Sequence, residues 1–315
     1  MKKILLVKTS SLGDVVHNFP VVSDIRRRFP QACVDWVVEE AYSPLVALHP
    51  GVRRAIPVAI RRWRTHLLGA ATWRETGALR RRLNIDRYDE VIDTQGLLKS
   101  ALIVAATTGR RHGFDASSAR EPLAARFYDT LHRVPRAEHA VARNRELVAA
   151  SLGYRVDAPV DYGLRVDRGA GSPDTVVLLH SASRADKLWP ESAWIELGRR
   201  LEEERMNMVL PWGSEPERER SCRIAGSLQR ASVPEPLSLR AVVELLSRAR
   251  AAVGVDTGLA HLAAAMSIPV VGIYCATDPR LTGIYGCPRA INLGGIGSPP
   301  STAEVFEAVL ARGAL

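Results

Sequence analysis

Residues 4–7 read Ile-Leu-Leu-Val, residues 9–14 read Thr-Ser-Ser-Leu-Gly-Asp, and an apolar-periodic stretch then runs from Val15 to Phe29. A short run that is apolar at every position is a strand covered on both faces. A period near 3.6 after a small polar turn is a helix. Pro20 falls in the first turn of the main helix, where its missing N–H costs little. The pattern then recurs, with strands at Val34–Val38, Ala55–Val58 and Glu90–Asp93 and a mostly helical composition between Trp63 and Asp86. Strands alternating with helices cannot pair as hairpins. Each helix must cross over the sheet, which makes the sheet parallel and buries both of its faces.

Periodicity is lost over residues 157–174, where Gly, Pro and Asp gather, and this reads as a linker. The alternation then restarts. Strands are expected at Val176–Leu179, Met208–Leu210, Ala252–Val255 and Val270–Ile273, and helices at Glu191–Glu204, Leu239–Ala249 and Leu259–Met266. Ser301 with Glu304 is a capping box for a last helix ending near Gly313. The length of 315 residues suits two domains. The expected fold class is α/β, with two doubly wound domains facing a cleft, residues 1–165 and 166–315, and a final helix free to pack back on the first domain.

The net charge of +9 is unevenly placed. Residues 1–165 hold 27 Lys and Arg against 17 Asp and Glu, a balance of +10; residues 166–315 hold 16 against 17, a balance of −1. The basic half suits an anionic partner: nucleic acid, a membrane surface or an acidic substrate. The other reading is a solvated, Arg-rich surface. The four cysteines, Cys33, Cys222, Cys275 and Cys287, form no C-x-x-C pair and have no zinc-ligand spacing, so they read as buried small hydrophobes of a reducing compartment. The first apolar run stops at Lys8, too short for a signal peptide, and no run approaches a membrane span. A soluble cytoplasmic protein is expected.

Ligands of doubly wound sheets bind beyond the carboxyl ends of strands, and four strand-end turns carry polar groups. In Ser10–Ser11–Leu12–Gly13–Asp14, Gly13 permits a close approach or a positive φ, and Asp14 is either a helix N-cap or a general base. In Asp256–Thr257–Gly258–Leu259–Ala260–His261, the Thr257 and Gly258 amides suit an anion and Asp256 suits sugar hydroxyls; alternatively Asp256 caps the helix and His261 is a satisfied helix residue. Between His180 and Pro190, Ser183 and Lys187 suit a diphosphate, while Trp189 reads as core. After Leu210 a Gly turn leads to Glu217, which suits ribose hydroxyls or simply the helix dipole. The P-loop G-x-x-x-x-G-K and the dinucleotide fingerprint G-x-G-x-x-G are absent from these turns, so phosphoryl transfer and hydride chemistry lose support. With no D-x-D pair in a suitable loop, neither a cofactor nor an obligatory metal is expected; Asp35, Glu39 and Glu40 alternate along and past a strand end and read as structural.

Taken together, VKTSSLGDVVH, DWVVEE, IPVAIRRWR, VIDTQGLLKSA, SAREPLA, KLWP, LPWG and VDTGLAHLAAA resemble the lipopolysaccharide heptosyltransferases, glycosyltransferase family 9, over nearly the whole chain. IPVAIRRWR and AREPLA favour the member that adds heptose to Kdo over sister enzymes that use another core sugar. The resemblance implies a GT-B fold of two Rossmann-like domains, the second holding ADP-heptose and the first a Kdo-lipid A acceptor. It implies Asp14 as catalytic base. Ser183, Lys187, Glu217, Asp256, Thr257, Gly258 and His261 are implied around the donor, and Ser10, Ser11, Gly13, Arg61, Arg62 and Arg120 around the acceptor. Ala182 departs from the family pattern, which often has a second hydroxyl there, and leaves Ser183 as the hydroxyl contact. A lipid acceptor also implies a place at the cytoplasmic face of the inner membrane, held peripherally. The different-class alternative, a non-catalytic binder of nucleic acid or anionic membrane, lacks any helix-turn-helix, zinc-finger or RNP motif, and no nucleic-acid partner is expected.

Overall fold

The computed structural model describes residues 1–66, 69–164, 166 and 171–313. The chain divides into two compact units, Met1–Gly163 and Leu164–Leu315. Of the expected linker, residues 165 and 167–170 lie outside the described residues.

In the first unit the strands are β1 Lys3–Val7, β2 Cys33–Glu39, β3 Val52–Val58, β4 Glu90–Asp93, β5 Arg110–Phe114 and β6 Thr130–His132. They form one sheet in the order β3-β2-β1-β4-β5-β6, every neighbouring pair parallel. The second unit repeats this plan with β7 Ser172–Leu179, β8 Asn207–Val209, β9 Ala231–Ser232, β10 Ala249–Val255, β11 Val270–Tyr274 and β12 Ala290–Gly294. Its order is β12-β11-β10-β7-β8-β9, again parallel throughout. Both units are thus doubly wound.

The sheets bury the runs that the sequence marks as apolar. Leu5, Val7, Val37 and Val91 pack against Leu79 and Leu83 of the helix Ala70–Leu83. In the second unit Trp189 and Trp194 meet edge to face at 5.2 Å in a core shared with Val176 and Val253. The Ser301–Glu304 capping box forms as expected, with Ser301 N–H and Oγ–H donating to Glu304 Oε2 at 2.8 and 2.7 Å. The helix it starts, Thr302–Gly313, places Val305, Ala308 and Val309 in the core of the second unit.

Three expectations change. The helix expected from Val15 to Phe29 is two, Leu12–Val16 and Phe19–Arg28, with Pro20 in the first turn of the second. The cysteines are free, but none is fully buried, and Cys222 is exposed. β5 and β6 had no apolar signature: β5 reads Arg-Arg-His-Gly-Phe. Gly113 is needed there because a Cβ would lie 2.2 Å from the Tyr128 ring.

Helix Phe19–Arg28 is joined to helix Ala140–Leu152 by a buried, two-pronged ion pair. Arg145 Nε and Nη2 donate to Asp24 Oδ2 and Oδ1 at 2.7 and 3.0 Å, with both side chains 6% exposed. Asp24→Ala leaves the buried guanidinium without its carboxylate and should destabilise the first unit by about 3–5 kcal/mol. Urea unfolding checks this, and an unchanged midpoint would show that the pair contributes nothing.

Candidate functional site

A parallel sheet leaves an open crevice where the strand order reverses. In the first unit that point lies between β1 and β4, and in the second between β7 and β10. Each unit gathers its candidate residues there.

Beyond β1, Gln95 fastens the turn. Its Oε1 accepts Thr9 N–H and Oγ–H at 2.7 and 2.8 Å, and its Nε2 donates to Ser10 O at 2.8 Å. Lys99 Nζ donates to Ser10 Oγ at 2.8 Å. Ser11, not Asp14, is the N-cap, and Asp14 is the third residue of its helix. Gly13 is helical too, its carbonyl accepting His17 N–H at 2.9 Å, so no positive φ is needed there. Asp14 Oδ2 accepts Ser11 N–H and Oγ–H at 3.0 and 3.1 Å, and Arg120 Nη2 donates to Oδ1 at 2.9 Å. Burial opposes ionisation of Asp14, but the charges of Lys8 and Arg120 and the Ser11 N–H override it and hold the carboxyl well below the usual range. Lys8 is buried, and its Nζ donates to Thr94 O at 2.8 Å. Burial, only partly offset by Asp14, pushes its ammonium down to about 8.

Arg120 therefore meets Asp14 directly, while Arg61 and Arg62 hold other partners. Arg61 Nη2 donates to Tyr42 Oη at 2.8 Å and its N–H to Glu39 Oε1 at 3.1 Å. Arg62 reaches Glu75 Oε1 at 2.9 Å and Glu40 Oε2 at 3.5 Å. The neighbouring basic pair is structural. Arg53 and Arg54 both bind Asp35, which is fully buried and also accepts Tyr88 Oη–H at 2.7 Å.

In the second unit, Asp256 stands at the end of β10 and does not cap the following helix Gly258–Ala265, whose N-cap is Thr257. Its Oδ2 lies 2.7 Å from Lys187 Nζ and accepts Thr277 Oγ–H at 2.7 Å; its Oδ1 lies 3.5 Å from His261 Nε2. Burial raises the Asp256 carboxyl, and His261, Lys187 and Thr277 together bring it well below the ordinary value. Ser183 is exposed on the same loop as Lys187. Next to this cluster is a pocket of about 230 Å³. Its apolar wall is Leu179, Pro211, Trp212, Leu239, Val242 and Leu259, and its polar groups include Ser181, Glu217 and Thr257. Glu217 Oε2 accepts Gly213 N–H at 2.7 Å. An apolar slot with a carboxylate at one side and a lysine nearby suits a base, a ribose and a phosphate.

Of the residues expected from sequence, the structure brings Asp14 together with Arg120, and Asp256 together with Lys187 and His261. The sequence reading missed Lys8, Gln95, Lys99 and Thr277, and the wall contributed by Leu239 and Val242. Lys8 had a signal: a lysine ending an otherwise apolar strand is buried unless the strand stops early. Thr277 had none, being an ordinary threonine in a loop beyond β11.

The model of glycosyltransferase family 9 (heptosyltransferase) matches residues 76–305. Lipopolysaccharide heptosyltransferase 1 of Pseudomonas aeruginosa is 46% identical over 291 residues, 90% of this chain and 81% of that protein. Two solved structures of E. coli heptosyltransferase WaaC are similar. The one with ADP has a TM-score of 0.91 and 39% identity, covering 98% of this chain and 99% of that one. The one with ADP-2-deoxy-2-fluoro heptose has a TM-score of 0.85 and 38% identity, covering 98% of each. Two doubly wound α/β units in tandem are what the GT-B fold requires, and with these matches the chain belongs to glycosyltransferase family 9, the heptosyltransferases.

Proposed function

We propose that this chain is an inverting transferase that moves L-glycero-D-manno-heptose from ADP-heptose to the Kdo of a lipid A-linked acceptor, working peripherally at the cytoplasmic face of the inner membrane. The observation that carries this reading is the likeness, over nearly the whole chain, to a heptosyltransferase solved with ADP. The first unit takes the acceptor and the second the donor. A coupled ADP-release assay with ADP-heptose and Kdo-lipid A tests it; no release with that acceptor, or release only with a heptosylated core acceptor, would sink it.

Transfer with inversion needs a base for the attacking hydroxyl and relief of charge on the departing ADP. Asp14 is the base. Its carboxylate is ionised throughout the neutral range and takes the acceptor proton as the new C–O bond forms at the anomeric carbon, while the bond from that carbon to the diphosphate oxygen breaks. The transition state has oxocarbenium character, by analogy with other glycosyl transfers. Arg120, with Ser10, Ser11 and Gly13, sets the acceptor against Asp14, and Arg61 and Arg62 meet its anionic groups. On the donor side, an ammonium has three hydrogens. Asp256 engages one of those on Lys187 and fixes the side chain, and the others serve the diphosphate together with Ser183 and the Thr257 and Gly258 amides. Glu217 offers its second oxygen to the ribose, and His261 keeps Asp256 oriented near the heptose.

Asp14→Asn keeps the size and loses the base, so turnover should fall by roughly 10²–10⁴-fold with ADP affinity retained; near-normal turnover would remove Asp14 from the role. Lys187→Ala should raise the KM for ADP-heptose by about tenfold or more, the worth of a charge-assisted hydrogen bond. If instead the KM holds and thermal stability collapses, Lys187 only neutralises Asp256.

The pH dependence has a definite sign. The folded pKa of Asp14 is depressed, so its active, ionised form persists as pH falls through the ordinary aspartate value near 3.9. Arg120→Ala removes one of the charges that depress it, so the acid limb of kcat should move to higher pH. An acid limb that stays in place in this variant would show that Arg120 does not set the charge state of the base.

A further inference from the structure

Helix Ala70–Leu83 has two contrasting faces. Leu79 and Leu83 point into the core of the first unit, and Glu75 accepts from Arg62 Nη1 and Trp63 Nε1 at 2.9 and 2.7 Å. The opposite face is formed at helical spacing by Trp73, Arg74, Gly77, Arg80 and Arg81. Trp73 is 69% exposed, and all three arginines are exposed. Arg81 Nη1 reaches back along that face to within 3.9 Å of where a Cβ on Gly77 would lie. No acidic residue shares the face, and among the described residues none of these three arginines has an ion-pair partner. Elsewhere in the unit Arg53, Arg54, Arg62 and Arg145 are each held by a carboxylate.

An indole left in water on a helix that already has a buried apolar side is unusual for a surface facing only solvent. Beside unpaired guanidinium groups it matches a bilayer interface, where tryptophan settles at headgroup level and arginine meets phosphate. No helix among the described residues is long and apolar enough to cross a membrane, so any such contact lies in the interface plane.

We infer that the Trp73–Arg74–Arg80–Arg81 face of this helix docks the protein on an anionic phospholipid surface. The inference rests on the proposed function for its biological sense, because an acceptor embedded in a bilayer has to be met there. Its geometry stands without that reading. The helix is tied through Glu75 to Arg62, one of the residues offered to the acceptor, so docking this face brings the acceptor side of the first unit near the headgroups.

The test uses the whole protein and vesicles of phosphatidylcholine, with or without about 30% phosphatidylglycerol, containing no acceptor. Wild type should co-sediment with the anionic vesicles, release as salt is raised, and show a blue shift of tryptophan emission that is missing in Trp73→Ala. Arg80→Glu with Arg81→Glu should weaken partition by at least about tenfold. Turnover on a deacylated, water-soluble acceptor should be unchanged in both variants, whereas turnover on acceptor in vesicles should fall. Failure to bind anionic vesicles, binding unaffected by these variants, or equally tight binding to duplex DNA would each overturn the inference. If vesicle binding behaves as expected and no acceptor is turned over, the docking face stands and the proposed reaction is what has failed.

Discussion

Parallel pairing is the constraint on which the rest depends. When every strand runs the same way, every turn that follows a strand lies at one edge of the sheet, and successive elements must cross its face to start again. At the reversal between β1 and β4, and again between β7 and β10, two neighbouring strands send their chains to opposite faces. Residues distant in sequence then meet without any special device. Gln95 fastens Thr9, Lys99 reaches Ser10, and Arg120 reaches Asp14. In the second unit Lys187, Asp256 and Thr277 come from three separate strand-end loops.

The charge excess of the first half divides into two populations once partners are assigned. One is internal fastening. Asp35, with no exposure at all, is a buried charge that would be costly alone, and Arg53, Arg54 and Tyr88 make it tolerable. Arg145 does the same for Asp24. Where cation and carboxylate match one to one, as in this last pair, the charges cancel at a distance. The net positive field comes from the other population, guanidinium groups at the surface without carboxylates, among them those on the outer face of helix Ala70–Leu83. A simple count of basic residues weights both populations equally, which is why it points to an anionic partner without showing where that partner sits.

Most of the architecture was legible because buried parallel strands must be apolar at every position, and a chain has few other reasons to write Ile-Leu-Leu-Val or Val-Val-Leu-Leu. The illegible strands are those where burial is incomplete or achieved by unusual means. β5 begins with two arginines and relies on a glycine pressed against Tyr128, and β9 is two residues long. The candidate site was legible where one turn carries several polar groups. It was illegible where a group enters from a separate loop, as Thr277 does, or where only burial brings a side chain to the site, as with Lys8. The roles of Ser10, Ser11 and Arg61 came from family resemblance; the geometry adds partners to them but does not choose their ligands.

Asp14 and Asp256 show how similar electrostatics can serve different ends. Both carboxyls are held well below their ordinary range by cationic neighbours. Asp256, 8% exposed, has its oxygens taken up by Lys187, Thr277 and His261, so it is a brace with little capacity left for a proton in flight. Asp14, 14% exposed, presents Oδ1 mainly to Arg120, which is itself half-exposed and able to shift toward an incoming anion. A depressed pKa makes a carboxylate a weak base, which at first argues against catalysis by Asp14. The proposed reaction removes the objection. If the transition state has oxocarbenium character, the acceptor hydroxyl becomes strongly acidic only as its oxygen bonds to the anomeric carbon, so the proton needs a carboxylate that is ionised and in place more than one that is strong. If Arg120 shifts its charge toward an acceptor anion, as the proposed reaction requires, the basicity of Asp14 would rise at the stage when the proton must be taken, and the contact that now keeps its carboxyl ionised would couple its strength to acceptor binding.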